Sequence, residues 1–99
     1  MSQLRLSEFA HERIQLLPRD PVLLMATWRH LEWAAQDPES RTQSPPPFPH
    51  RQDRRFLHFI AADSNRNEWT FSALFDLRDD TLCVTFLDFL APESVMEPE

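Results

Sequence analysis

An α+β fold, with an N-terminal helical hairpin packed on a small antiparallel sheet, is predicted by three features of this chain. Two helix starts with clear capping signals lie ahead of residue 37. After residue 54 come three runs rich in aromatic and β-branched residues, separated only by short polar breaks. Between the two halves lies a proline-rich stretch that suits neither a helix nor a central strand.

Ser7 can cap a first helix running to about Leu17, with Ala10, Ile14 and Leu17 on one stripe, and Pro18 then stops it. Asp20-Pro21 is a restart signal, because proline at the first helical position forgoes an N–H that would have no partner there anyway. The second helix should run to about Gln36, burying Leu24, Trp28, Leu31 and Ala35, and end before Asp37-Pro38. A link this short folds residues 7–36 into a helical hairpin. Ahead of it, Leu4 and Leu6 alternate with Gln3 and Arg5, so residues 2–6 fit an edge strand or an extension of the first helix, and the strand is preferred.

Residues 54–90 read as a three-stranded meander of runs 55–62, 68–77 and 81–90. In the middle run Trp69, Phe71, Ala73, Phe75 and Leu77 share one face and Thr70, Ser72 and Asp76 the other, the alternation of a half-buried strand. Residues 63–67 and 78–80 supply turns without glycine, of which the chain has none. Asn and Asp replace it there by bonding their own backbone and tolerating left-handed geometry. The connector, residues 39–53, contains Pro45-Pro-Pro-Phe-Pro49 and favours extended polyproline geometry, while residues 91–99 form a short acidic tail.

At 99 residues the chain has room for one domain and one core. The single Cys83 excludes an intramolecular disulfide, and no Cys/His spacing builds a metal site. A glycine-free chain also lacks a phosphate-binding glycine loop, which argues against nucleotide hydrolysis, and no cofactor is expected. No apolar run reaches the roughly 18 residues of a membrane span, and no signal-peptide pattern opens the chain, so a soluble cytoplasmic protein is expected. A net charge of -6 argues against a domain devoted to wrapping nucleic acid. One local basic region nevertheless exists, since residues 41–66 hold Arg41, Arg51, Arg54, Arg55 and Arg66 against Asp53 and Asp63.

Leu4-Arg-Leu-Ser-Glu-Phe-Ala10, the Ala-Ala-Gln-Asp-Pro38 close of the second helix, Arg54-Arg-Phe56, Trp69-Thr-Phe-Ser-Ala-Leu-Phe75 and Asp80-Thr-Leu-Cys-Val84 follow in an order that resembles the RelE/ParE toxin superfamily of bacterial type II toxin-antitoxin systems. The resemblance spans about residues 3–90. It implies either a ribosome-dependent endoribonuclease that cuts messenger RNA or a gyrase inhibitor, held inactive in both cases by a cognate antitoxin. The chain departs from the nuclease members in having no Tyr or Lys and in ending its last strand Leu87-Asp-Phe-Leu90.

Cleaving RNA through its 2′-hydroxyl needs a base, a cation for the phosphorane and an acid for the leaving oxygen. Arg54, Arg55 and His58 are the candidate catalytic set, with Arg51 and Arg66 as candidate phosphate-binding residues. The competing reading makes them solvated side chains, and His58 a hydrogen-bonded core histidine if its face of the strand turns inward. His11, His30 and His50 read as surface residues, Asp76 and Asp88 as a solvated sheet face, and Cys83 as a structural strand position. The alternative class of function is a non-enzymatic domain that docks on another protein through the sheet or the Pro45-Pro49 stretch.

Overall fold

The structure, a computed structural model, describes residues 3–43 and 53–92. Its elements follow in the order β1 (Gln3–Leu6), α1 (Glu8–Gln15), α2 (Pro21–Gln36), α3 (Pro38–Arg41), β2 (Arg54–Ala62), β3 (Glu68–Arg78) and β4 (Thr81–Leu90). Ser7 caps α1 by accepting from the Ala10 N–H, and Asp20 caps α2 by accepting from the Val22 and Leu23 N–H groups. The fold is α+β, and residues 54–90 form the expected antiparallel meander.

The sheet has the order β1-β4-β3-β2 and is mixed, which corrects the wholly antiparallel expectation. β1 runs parallel to β4, with Leu4 opposite Leu82 and Leu6 opposite Val84. The reason is topological: the helices carry the chain away after β1, so the strand meets the meander only through its last member and enters the sheet as an edge. A register shift between Leu74 and Phe75 then bends β4. Beyond it α1 takes over the edge that β1 leaves, tied by Ser7 Oγ donating to the Thr85 carbonyl and Arg13 Nε donating to the Leu87 carbonyl.

One face of the sheet is buried beneath the helices. Phe71, Phe75, Leu82, Val84 and Leu87 are fully enclosed with Leu23 and Leu31 of α2, each such side chain contributing about 1.5–3 kcal/mol by burial. Phe59, Phe71 and Phe89 sit opposite one another on three strands and form a ring row with spacings of 4.9 and 5.9 Å. His30 stacks on its β2 end at 4.6 Å, and the Arg13 guanidinium lies 5.0 Å from the Phe89 ring at the other. Such cross-strand pairs hold register as well as burying area.

Two further expectations shift. On α2, Leu31 and Ala35 are buried as expected, but the buried stripe continues through Leu23, Thr27 and Ala34, and Leu24 and Trp28 are only partly buried. The connector begins with a helical turn, α3, instead of extended chain, and Gln43 bridges Phe56 of β2. Pro45-Pro49, His50 and Arg51 lie outside the described residues, as does residue 93 onward. No helix among the described residues is long and apolar enough to cross a membrane.

Candidate functional site

Neighbouring residues of a strand point to opposite faces, and β2 applies that rule to the predicted catalytic set. Arg55 shares the inner face with Leu57, Phe59 and Ala61, whereas Arg54, His58 and Ile60 face outward. The three residues therefore do not assemble into one site. Arg55 is buried, and its guanidinium donates to Thr42 Oγ1 at 2.7 Å, to the Thr42 carbonyl at 2.5 Å and to the Glu39 carbonyl at 3.2 Å. It closes the end of α3 against the sheet, a packing role.

The outward face is open and arranged in rows by the strand register. Arg54, Asp76 and Cys83 form one row, Phe56, Leu74 and Phe86 the next, then His58, Ser72 and Asp88. Arg54 Nε lies 3.1 Å from Asp76 Oδ1, a contact of opposite charges without hydrogen-bond alignment, since that buried oxygen has no hydrogen-bond partner. His58 Nδ1 is 3.2 Å from Ser72 Oγ. Asp88 stands on the far side of Ser72 from His58 and is paired with Arg13 at 2.8 Å, so it does not orient the imidazole as a triad acid would.

Arg66 sits in the β2–β3 turn, beyond Ala62. At about 3.4 Å per residue this places it some 25 Å along the strand from Arg54, too far to share one phosphate. Asp63 organises that turn: its carboxylate accepts from the Asn65 and Asn67 N–H groups and from the Trp69 indole. Burial pushes the Asp63 pKa up, but the Trp69, Asn67 and Asn65 hydrogen bonds outweigh it and hold the group below its ordinary value. Asp20 is also held low, by the Ser64 backbone N–H and hydroxyl, which join the start of α2 to the same turn at 2.9 and 2.7 Å.

An open groove of about 790 Å³ runs between α2 and the outer edge of β2. Volumes of several hundred Å³ are typical of binding sites. Its helix wall is a second stripe of α2 at helical spacing, Val22, Met25, Ala26, Arg29 and Trp33; its strand wall is residues 57–60. Val22, Met25, Trp33 and Ile60 are each about half exposed, at 52, 54, 46 and 50 %. Large apolar side chains clustered in a concavity are unlike the scattered exposed ones of any surface. The apolar spacing along α2 carried this signal in sequence, but its buried neighbour stripe masked it.

Among the described residues no group of three or more His, Cys, Asp or Glu side chains is placed to hold a metal ion. Comparison with protein-family models, with curated proteins and with solved structures finds no match to this chain.

Proposed function

We propose that this domain acts by binding another protein in the groove between α2 and β2. The observation that carries this reading is the cluster of Val22, Met25, Trp33 and Ile60, half exposed along one concavity of a small chain. The RelE/ParE resemblance fits the same picture, with the domain as a toxin-family protein and a cognate antitoxin as its partner.

A second reading is ribosome-dependent endoribonuclease activity on the open face of the sheet. It draws on Arg54 and His58, which point the same way four residues apart on β2. A cation and a titratable group so placed could serve the phosphate and the 2′-hydroxyl of RNA. Arg54 is already engaged by Asp76, which weakens it as a free phosphate ligand.

Co-expression with the genes that flank its own tests the first reading. A neighbouring protein should co-purify with the wild-type chain and be lost from a folded Trp33→Ser variant. Retention by Trp33→Ser, or no co-purifying protein at all, would refute it. Growth arrest and messenger cleavage by the wild type, reduced about a hundredfold or more by Arg54→Ala and His58→Ala, would instead support the nuclease reading.

A further inference from the structure

The groove has a charge and a backbone pattern that together specify what enters it. Arg29 and Arg41 line it with His30 and His58, and no Asp or Glu does, on a chain whose net charge is -6. Arg41 is held in place by stacking 4.8 Å from the Trp33 ring and by donating Nη1 to the Trp33 carbonyl and to Gln36 Oε1. Among the described residues no carboxylate pairs with Arg29 or Arg41. A cationic strip on an acidic protein, with no ion-pairing carboxylate among the described residues, selects for acidic ligands.

The strand wall supplies the second half of the pattern. β2 is the edge of the sheet, and Gln43 and Phe56 exchange backbone hydrogen bonds at 2.8 and 2.7 Å. That exchange sets the phase of the strand: the N–H and C=O groups of Phe56 point out of the sheet, so those of His58, Ile60 and Ala62 do as well. No described residue pairs with this edge beyond Phe56. An unpaired edge beside an apolar wall is a template for another strand.

We propose that the groove receives an extended acidic and apolar segment of a partner protein, added to β2 as a fifth strand. This rests on the protein-binding reading and names the partner's chemistry. The backbone of the segment pairs with His58, Ile60 and Ala62. Its side chains facing α2 meet Val22 and Met25 at one end and Arg29 and Arg41 at the other. Arg29 and the Trp33 ring beneath Arg41 are one helical turn apart, about 6 Å, which is close to the spacing of alternate residues on a strand. Two acids at alternate positions, followed by an apolar residue two further along, therefore match the wall. Backbone pairing supplies affinity in such complexes, and alternate side chains supply specificity.

Selection from a displayed library of random peptides of about eight residues, the length of a strand, tests this directly. Against the wild-type chain, the enriched sequences should carry acids at alternate positions with an apolar residue beside them. A synthesised winner should shift the backbone amide resonances of His58, Ile60 and Ala62. Its affinity should fall about tenfold or more, a loss of some 1.4 kcal/mol, on Arg29→Gln, on raising the salt, or on N-methylation of its alternate amides. Enrichment of neutral or basic sequences, indifference to N-methylation, or no enrichment at all would overturn strand addition. If the inference fails in this way while Trp33→Ser still releases the co-purified neighbour, protein binding in the groove stands and the segment is of another shape. If Trp33→Ser releases nothing either, both fall.

Discussion

Arg55 donates from Nε to Thr42 Oγ1 at 2.7 Å, thirteen residues away in sequence, and both side chains are buried. The Thr42 hydroxyl passes the contact on to the Pro38 carbonyl, so one guanidinium links β2 to the start and the end of α3. Arg55→Ala would leave these buried acceptors without a donor and remove the aliphatic stem. We expect a loss of about 2–3 kcal/mol. For a domain of this size that lowers the melting temperature by roughly 10–20 °C. Arg54→Ala removes only a partly exposed ion pair and should cost under about 1 kcal/mol. Equal melting shifts for the two variants would contradict the opposite-face assignment.

Acid should loosen the junction between α2 and the β2–β3 turn. Asp20 and Asp63 both have folded-state pKa values below the usual 3.8, through the Ser64 bonds in the first and, against an opposing burial effect, the Trp69, Asn67 and Asn65 bonds in the second. A depressed carboxylate pKa stabilises the folded state above the unfolded value, and the contribution is lost as pH falls through the folded one. The wild type should therefore exceed Asp20→Asn and Asp63→Asn in denaturant midpoint near neutrality, with both gaps closing below about pH 4. A gap that stays constant to the acid end of the titration would show that the charge is not what matters.

How far the sequence could be read follows from the same rules. Ser7 and Asp20-Pro21 marked the helix starts because capping is local chemistry, and β3 was legible because Trp69, Phe71, Ala73 and Phe75 alternate against polar neighbours. Parity alone, though, could not tell which face of β2 is inward: Arg55 and Phe56 each stand among apolar residues. On α2 the expectation holds for Leu31 and Ala35 but not for Leu24 and Trp28, because Leu23, Leu24, Met25, Trp28 and Trp33 leave little polar arc to orient the helix. The candidate catalytic set placed Arg55 with Arg54 and His58, and a strand sends neighbouring residues such as Arg54 and Arg55 to opposite faces. The β1 direction and the groove are both tertiary facts, the first set by β1 pairing with β4 and the second by how α2 lies beside β2.

Left-handed backbone offers a test that also clears Arg66 for functional work. Arg66 has φ 66° and Asp79 φ 53°, both turn positions that glycine would usually fill. Asp tolerates this geometry better than a long side chain with no local hydrogen bond to offer. Arg66→Gly should relieve the steric cost and stabilise by up to about 1 kcal/mol, partly offset by the freer unfolded chain. Asp79→Gly should gain less. Thermal melts of the two variants compare them directly, and a destabilised Arg66→Gly would mean that its side chain has a structural role. A stable Arg66→Gly with undiminished RNA binding would dispose of Arg66 as a phosphate ligand.

Arg13 fastens α1 to the bent half of β4 by three different contacts. Nε donates to the Leu87 carbonyl at 3.2 Å, Nη2 donates to Asp88 Oδ1 at 2.8 Å, and the guanidinium lies 5.0 Å from the Phe89 ring. The carboxylate is the most exposed of these partners, so the ion pair itself should be worth under about 1 kcal/mol and weaken with salt. The carbonyl bond and the ring contact are sheltered by the helix and should carry the remainder. Arg13→Ala is therefore expected to cost about 1–2 kcal/mol with little dependence on ionic strength, against at most about 0.5 kcal/mol for Asp88→Asn. Denaturant melts at low and high salt measure both. If Asp88→Asn proves as costly as Arg13→Ala and the cost disappears in salt, the ion pair rather than the edge contact holds α1 in place.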